Sequence, residues 1–106
     1  AIRSDENTLL LAENVELDSL AREVRVAGNM INMRPREFDL LEYLMRHPRQ
    51  ALSREMLLES VWGYTFLGDT RTVDVHIRWL RKKIEVDPAK PHRLVTVRSI
   101  GYKFIP

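Results

Sequence analysis

The sequence has no cysteine. That excludes disulfides and thiolate metal centres, and it fits a reducing compartment. Glycine is scarce, with four residues in 106. Neither G-x-x-x-x-G-K-[ST] nor G-x-G-x-x-G occurs, so no nucleotide cradle is signalled. Apolar runs are short, none approaching the ~20 residues of a membrane span. The polar start, "AIRSDENT", lacks the apolar region of a signal peptide. Residues 1–7 read as a linker remnant, and 8–106 as one domain in the cytoplasm. The three histidines, His47, His76 and His92, are scattered and show no His-x-x-x-His spacing, so no zinc site is expected. No pair of carboxylates has a hydrolytic context, and Ser53 reads as a helix cap better than as a nucleophile. The chain is therefore expected to be a non-enzyme without cofactor or metal.

Acidic residues are unevenly missing. Residues 1–70 carry 8 Lys/Arg and 12 Asp/Glu, a net of −4, while residues 71–106 carry 9 and 3, a net of +6. Together these give the overall +2. Such a split hints at contact with nucleic acid or an acidic membrane. A hydrophobic content of 44% and a charged content of 30% are enough for a real core and an ordinary polar surface.

The first third alternates in short runs, "TLLLA", "VELD", "EVRVAG" and "NMINM", which predict three or four antiparallel strands up to about Met33. Gly28-Asn29 is the hairpin signal between the last two. The period then changes. Phe38, Leu41, Leu44 and Met45 recur at helical spacing behind Pro35, and His47-Pro48 ends that helix. "SREMLLESVW" predicts a second helix capped by Ser53, with Leu57, Leu58 and Val61 inward. A third helix starts at Arg71 and runs to about Glu85. The chain ends as a strand at Leu94–Val97, a turn at Arg98–Gly101 and a strand at Tyr102–Ile105. Helices two and three resemble a helix-turn-helix, and the last hairpin would be its wing.

The third helix, "RTVDVHIRWLRKK", has two faces. At about 100° per residue, Val73, Ile77, Leu80 and Ile84 form one narrow apolar stripe. Arg71, Val75, Arg78, Trp79 and Lys82 project from the other side. His76, Arg81 and Lys83 flank the stripe. Such an outer face suits a DNA major groove, with cations for phosphates or guanine edges and Val75 and Trp79 for thymine methyls or sugars. It suits equally a Trp79 packed beneath a neighbouring element, with solvated cations around it. Arg98 in the wing turn, flanked by Arg93 and Lys103, tips the reading toward DNA. In the loop 62–70, "WGYTFLGDT", Trp62 and Phe66 are expected to fold back on the core. Tyr64 and Leu67 are open to either packing or partner contact.

"RPREFDLLEYLMRHP", "SREMLLESVWG", "DTRTVDVHIRWLRKKIE" and "TVRSIGYKF", in that order, resemble the C-terminal effector domain of OmpR/PhoB-family bacterial response regulators. The resemblance covers about residues 8 to 105. It implies an α+β winged helix-turn-helix with an N-terminal four-stranded antiparallel sheet, three helices and a C-terminal β-hairpin wing. It implies DNA contact from Arg71, Thr72, Val75, His76, Arg78, Trp79 and Arg81 on the third helix, to which the face pattern adds Lys82. From the wing it implies contact by Thr96, Arg98 and Tyr102. The loop before the third helix touches RNA polymerase in some members, which makes Tyr64 and Leu67 candidates here. Members bind direct repeats as head-to-tail dimers, driven by phosphorylation of a receiver domain in the same full-length protein. In isolation a monomer is expected.

Two positions depart from the pattern. Trp79 stands where relatives often carry arginine or another polar residue. Arg34 stands at the cap of the first helix, where they often carry Thr or Ser. The alternative reading is a winged-helix protein-interaction module without specific DNA binding, whose complexes would be insensitive to salt. Single-strand or RNA binding would need aromatics arranged to stack bases, for which only Trp79 and Tyr102 qualify.

Overall fold

Alternating apolar residues in the first third build a four-stranded antiparallel meander: β1 (Leu9–Ala12), β2 (Val15–Asp18), β3 (Glu23–Val26) and β4 (Asn29–Ile31). The computed structural model describes residues 8–106, so the expected linker at 1–7 lies outside the described residues. Registers such as Leu17↔Val24 and Ala12↔Val15 place Ala12, Val15, Leu17 and Val24 in the core. The β3–β4 turn differs from the sequence expectation by one residue. Its loop is Ala27-Gly28, with φ of 52° and 82°, and Asn29 already pairs with Val26. A two-residue turn of this hand needs positive φ at both positions, which glycine supplies without strain.

Helix α1 (Pro35–Arg46) has proline at its first position and buries Phe38, Leu40, Leu41, Leu44 and Met45. Arg34 is its N-cap, but its side chain accepts no hydrogen bond from the helix. Glu37 does the capping instead, since its Oε1 accepts the Arg34 N–H at 2.8 Å.

A two-residue strand, β5 (Leu52–Ser53), follows; nothing in the sequence marked it. Ser53 caps α2 (Arg54–Leu57) as expected, accepting the Met56 N–H at 3.0 Å. The helix then widens into a π-helical turn at Leu58–Trp62, closed by Gly63 at φ 98°. Leu57 is buried, and Leu58, Val61 and Trp62 pack on the core from its edge.

Helix α3 (Arg71–Ile84) buries the expected stripe, Val73, Ile77, Leu80 and Ile84, against the other two helices. Strands β6 (Leu94–Val97) and β7 (Gly101–Phe104) form the wing. The wing is wider than a hairpin, because β5 joins it in the order β5-β7-β6. The turn is Arg98–Ile100, with Ser99 at φ 68° and the Ile100 N–H donating to the Val97 carbonyl at 2.9 Å. The loop that enters the wing is held by the Glu85 carboxylate, which accepts N–H bonds from His92, Arg93 and Leu94 at 2.9, 2.8 and 2.8 Å. Arg93 in turn reaches Glu13 and Asn14 in the β1–β2 turn, tying the wing's base to the first sheet. Among the described residues no helix is long and apolar enough to cross a membrane.

Candidate nucleic-acid interface

The face of α3 opposite its buried stripe divides into residues that the fold uses and residues that it leaves open. Val75, Arg78 and Lys82 are exposed, and neither cation has a hydrogen bond, ion pair or ring contact among the described residues. A charged surface chain in a folded domain commonly finds an oppositely charged neighbour on its own helix face. Here the only acid of α3, Asp74, is turned elsewhere.

Asp74 Oδ1 accepts the Tyr102 hydroxyl of β7 at 2.7 Å and lies 3.2 Å from Nε of Arg54 in α2. One carboxylate thus joins both helices of the motif to the wing. Partial burial, then the bond to Asp74, push the Tyr102 hydroxyl up to about 12, so it stays a donor at any physiological pH. Arg81 makes a second joint. Its Nε donates to the Leu94 carbonyl at 2.8 Å, and a terminal nitrogen donates to Thr96 Oγ1 at 2.9 Å. The guanidinium also lies 5.6 Å from the Tyr102 ring centroid. Arg81, Thr96 and Tyr102, all expected at the interface, therefore also set the angle between recognition helix and wing. Arg98 lies exposed in the wing turn with no partner among the described residues.

At the start of α3, Asp69 takes the capping role. Its Oδ1 accepts the Arg71 N–H at 3.0 Å, and its Oδ2 pairs with the Arg71 guanidinium at 3.1 Å. Hydrogen bonds from Arg71 hold the Asp69 carboxyl below its ordinary value and raise Arg71. The pair is largely exposed, so it orients Arg71 more than it stabilises the helix. Thr72 is half-buried, and its carbonyl is 2.8 Å from His76 Nδ1.

The aromatic residues form a chain that the helical period could not show. The His76 ring is 4.9 Å from Trp62 and 4.9 Å from Trp79. Trp62 in turn is 6.2 Å from Phe66. Trp79 is half-buried. Its ring lies beneath the guanidinium of Arg34, 4.3 Å from centroid to Cζ. Arg34 was not expected at this surface, because it is the N-cap of α1 and no periodicity links it to α3. In the loop, Trp62 does fold back on the core, while Phe66, 37% exposed, lies against the Trp62 ring and not on the core itself. Tyr64 and Leu67 are 86% and 98% exposed, which removes packing as their role.

Behind this surface lies a buried ion cluster. Glu37 is fully buried, and its carboxylate receives Lys83 Nζ at 2.6 Å and Arg34 Nη1 at 3.1 Å. Lys83 also donates to the Asn32 carbonyl at 2.8 Å. Burial opposes ionisation of Glu37, but the bonds from Lys83 and the Arg34 N–H outweigh it and hold the carboxyl below its usual value. The cluster fixes the C-terminal half of α3 to the start of α1. Among the described residues no group of His, Asp and Glu could hold a metal ion.

A helix-turn-helix with an exposed cationic helix face and a wing beside it defines a DNA-binding domain of the winged-helix class. The sequence model described as "Transcriptional regulatory protein, C terminal" matches residues 28–104, and the chain belongs to that family, in its OmpR/PhoB response-regulator branch. It is 56% identical over 73 residues to SphR, the alkaline phosphatase synthesis transcriptional regulatory protein of Synechococcus elongatus, covering 69% of this chain and 28% of that protein. To the sensory transduction protein RegX3 of Mycobacterium tuberculosis it is 52% identical over 89 residues, covering 84% and 39%. The chain thus spans well under half the length of these relatives. Its backbone matches the response regulator DrrB of Thermotoga maritima with a TM-score of 0.87 at 30% identity, over 93% of this chain and 45% of that one. It matches the Klebsiella pneumoniae RstA DNA-binding domain, solved in complex with the RstA box, with a TM-score of 0.82 at 34% identity, over 92% and 96%.

Proposed function

We propose that this domain reads specific double-stranded DNA by laying the outer face of α3 in the major groove and the wing turn against the adjacent minor groove. The observation that carries the reading is the set of exposed side chains without a partner among the described residues. Val75, Arg78 and Lys82 on one helix face and Arg98 in the turn are open to solvent, while every other cation of α3 is engaged. Phosphate contacts supply much of the affinity, and Arg78 and Val75 read base edges. Arg71, Thr72, His76, Trp79 and Arg81 complete the helix surface, and Thr96 and Tyr102 join Arg98 in the wing. The domain acts by binding and not by catalysis, in the cytoplasm, as the effector part of a longer response regulator whose receiver domain controls it. On direct repeats two copies bind head to tail; alone the domain is a monomer.

Arg78→Ala tests the groove-facing assignment. Affinity for a duplex selected from a random pool should fall by about 1–3 kcal/mol with little change in melting temperature. Unchanged affinity would remove Arg78 from the interface. A second surface is separable from the first. Tyr64 and Leu67 are too exposed to serve the fold, and we assign them to contact with RNA polymerase. The double variant Tyr64→Ala, Leu67→Ala should bind DNA normally and activate transcription poorly in a reconstituted assay. Equal loss in both measurements would make the loop part of the DNA surface.

A further inference from the structure

We propose that Arg34 and Trp79 form one composite reading element, contributed by the N-cap of α1 and by α3, that recognises a thymine methyl and its flanking phosphate. This rests on the DNA-binding reading above and extends it to a residue outside the helix-turn-helix. The geometry is specific. Arg34 Cζ sits 4.3 Å above the Trp79 centroid, and Nη1 bonds to buried Glu37 at 3.1 Å. Its side chain nevertheless remains 58% exposed. An arginine has five N–H donors in a rigid fork. One is shown bonded to Glu37, so the stacked, oriented guanidinium keeps donors for a phosphate.

Trp79 cannot read a base by accepting hydrogen bonds, since the indole only donates. It lies one helical turn from Val75, which is 41% exposed, so the two present a continuous apolar strip beside Arg78 and Lys82. In the major groove the apolar feature of a base pair is the thymine 5-methyl. Arg34 then performs two tasks. It holds the indole in place from one side, and it restores beside the ring a positive charge that α3 itself does not carry at this position. Glu37 prevents the arginine from swinging away, because leaving would strip a partner from a buried carboxylate.

The test uses a duplex selected by the domain, in which each thymine in turn is replaced by uracil, which lacks only the methyl group. For the native domain, one uracil position should weaken binding about fourfold, the value expected for one buried methyl-sized group. In Trp79→Ala that penalty should vanish. In Arg34→Ala it should shrink, and the dependence of log affinity on log salt should become shallower by about one unit. Arg34→Lys keeps the charge but not the planar stack, so it should preserve the salt slope and lose the methyl discrimination. Because Lys can still pair with Glu37, this variant keeps the experiment decisive even if Arg34→Ala folds poorly. If the native domain selects a duplex but Arg34→Lys and Arg34→Ala both keep native slope and native uracil penalties, the composite element is wrong and the DNA-binding reading stands. If no duplex is selected at all, both fall.

Discussion

Lys83→Met should destabilise the domain by about 3 kcal/mol, the lower end of what removing one partner of a buried ion pair costs. For a domain of this size that is a fall in melting temperature of roughly 10–20 °C. Methionine nearly matches the lysine stem in volume, so packing changes little. What changes is Glu37, which is fully buried and loses its 2.6 Å partner. Arg34 remains, but its guanidinium is partly exposed and already shared with Trp79. The pH dependence identifies the cause. In the native domain the Glu37 carboxyl is held below its ordinary 4.5, so its ionised form adds stability above that pH and loses it as pH falls through the lower folded value. In the variant, burial acts with far less opposition, and the folded carboxyl moves upward. The deficit should therefore be large near pH 7 and shrink as pH falls, first as the raised carboxyl of the variant takes its proton and then, below the ordinary carboxylate value, as the native domain loses the stability its ionised Glu37 supplied. Denaturant titrations across that range decide it. A deficit independent of pH would assign the loss to packing and not to charge.

The sequence showed the direction in which α3 side chains point but not what they meet. The stripe Val73, Ile77, Leu80 and Ile84 was legible because burial imposes a period, and the open face of Val75, Arg78 and Lys82 followed by subtraction. Arg81 and Tyr102 were legible as interface candidates. Their bonds to Leu94, Thr96 and Asp74 were not, since each joins elements 13 to 28 residues apart. Arg34 was missed for the same reason, being tied to Trp79 by tertiary packing alone. Where the fold departed from expectation the signals were too short or too weak. Strand β5 has two residues, too few to alternate, and exists because β7 passes beside it. The π-helical turn at Leu58–Trp62 keeps a pattern close to that of an α-helix. The β3–β4 turn moved by one residue because Ala27 accepts a positive φ, which residue type alone did not suggest.

Gly101→Ala should be as damaging as the loss of Lys83, although it adds a single methyl group. A Cβ at Gly101 would lie 2.0 Å from the Leu52 carbonyl oxygen and 3.0 Å from both the Leu52 carbonyl carbon and Ser53 Cα. These are backbone atoms, so no rotamer change relieves the clash, and β5 must move away from β7. The cost should be about 3 kcal/mol, the upper part of the usual range for overpacking. The displacement also reaches the function. Ser53 pairs with Gly101 and caps α2, while its neighbour Leu52 pairs with Tyr102, whose hydroxyl holds Asp74 of α3. Moving β5 therefore shifts the wing relative to the recognition helix. DNA affinity should drop even well below the melting temperature, where the variant is still folded. Gly28→Ala supplies the comparison, since Gly28 has φ 82° but open space around it. It should cost only about 1 kcal/mol, from backbone strain alone, and leave DNA affinity unchanged. Were Gly101→Ala to melt with Gly28→Ala and bind like the native domain, the β5–β7 contact would not be what sets the wing.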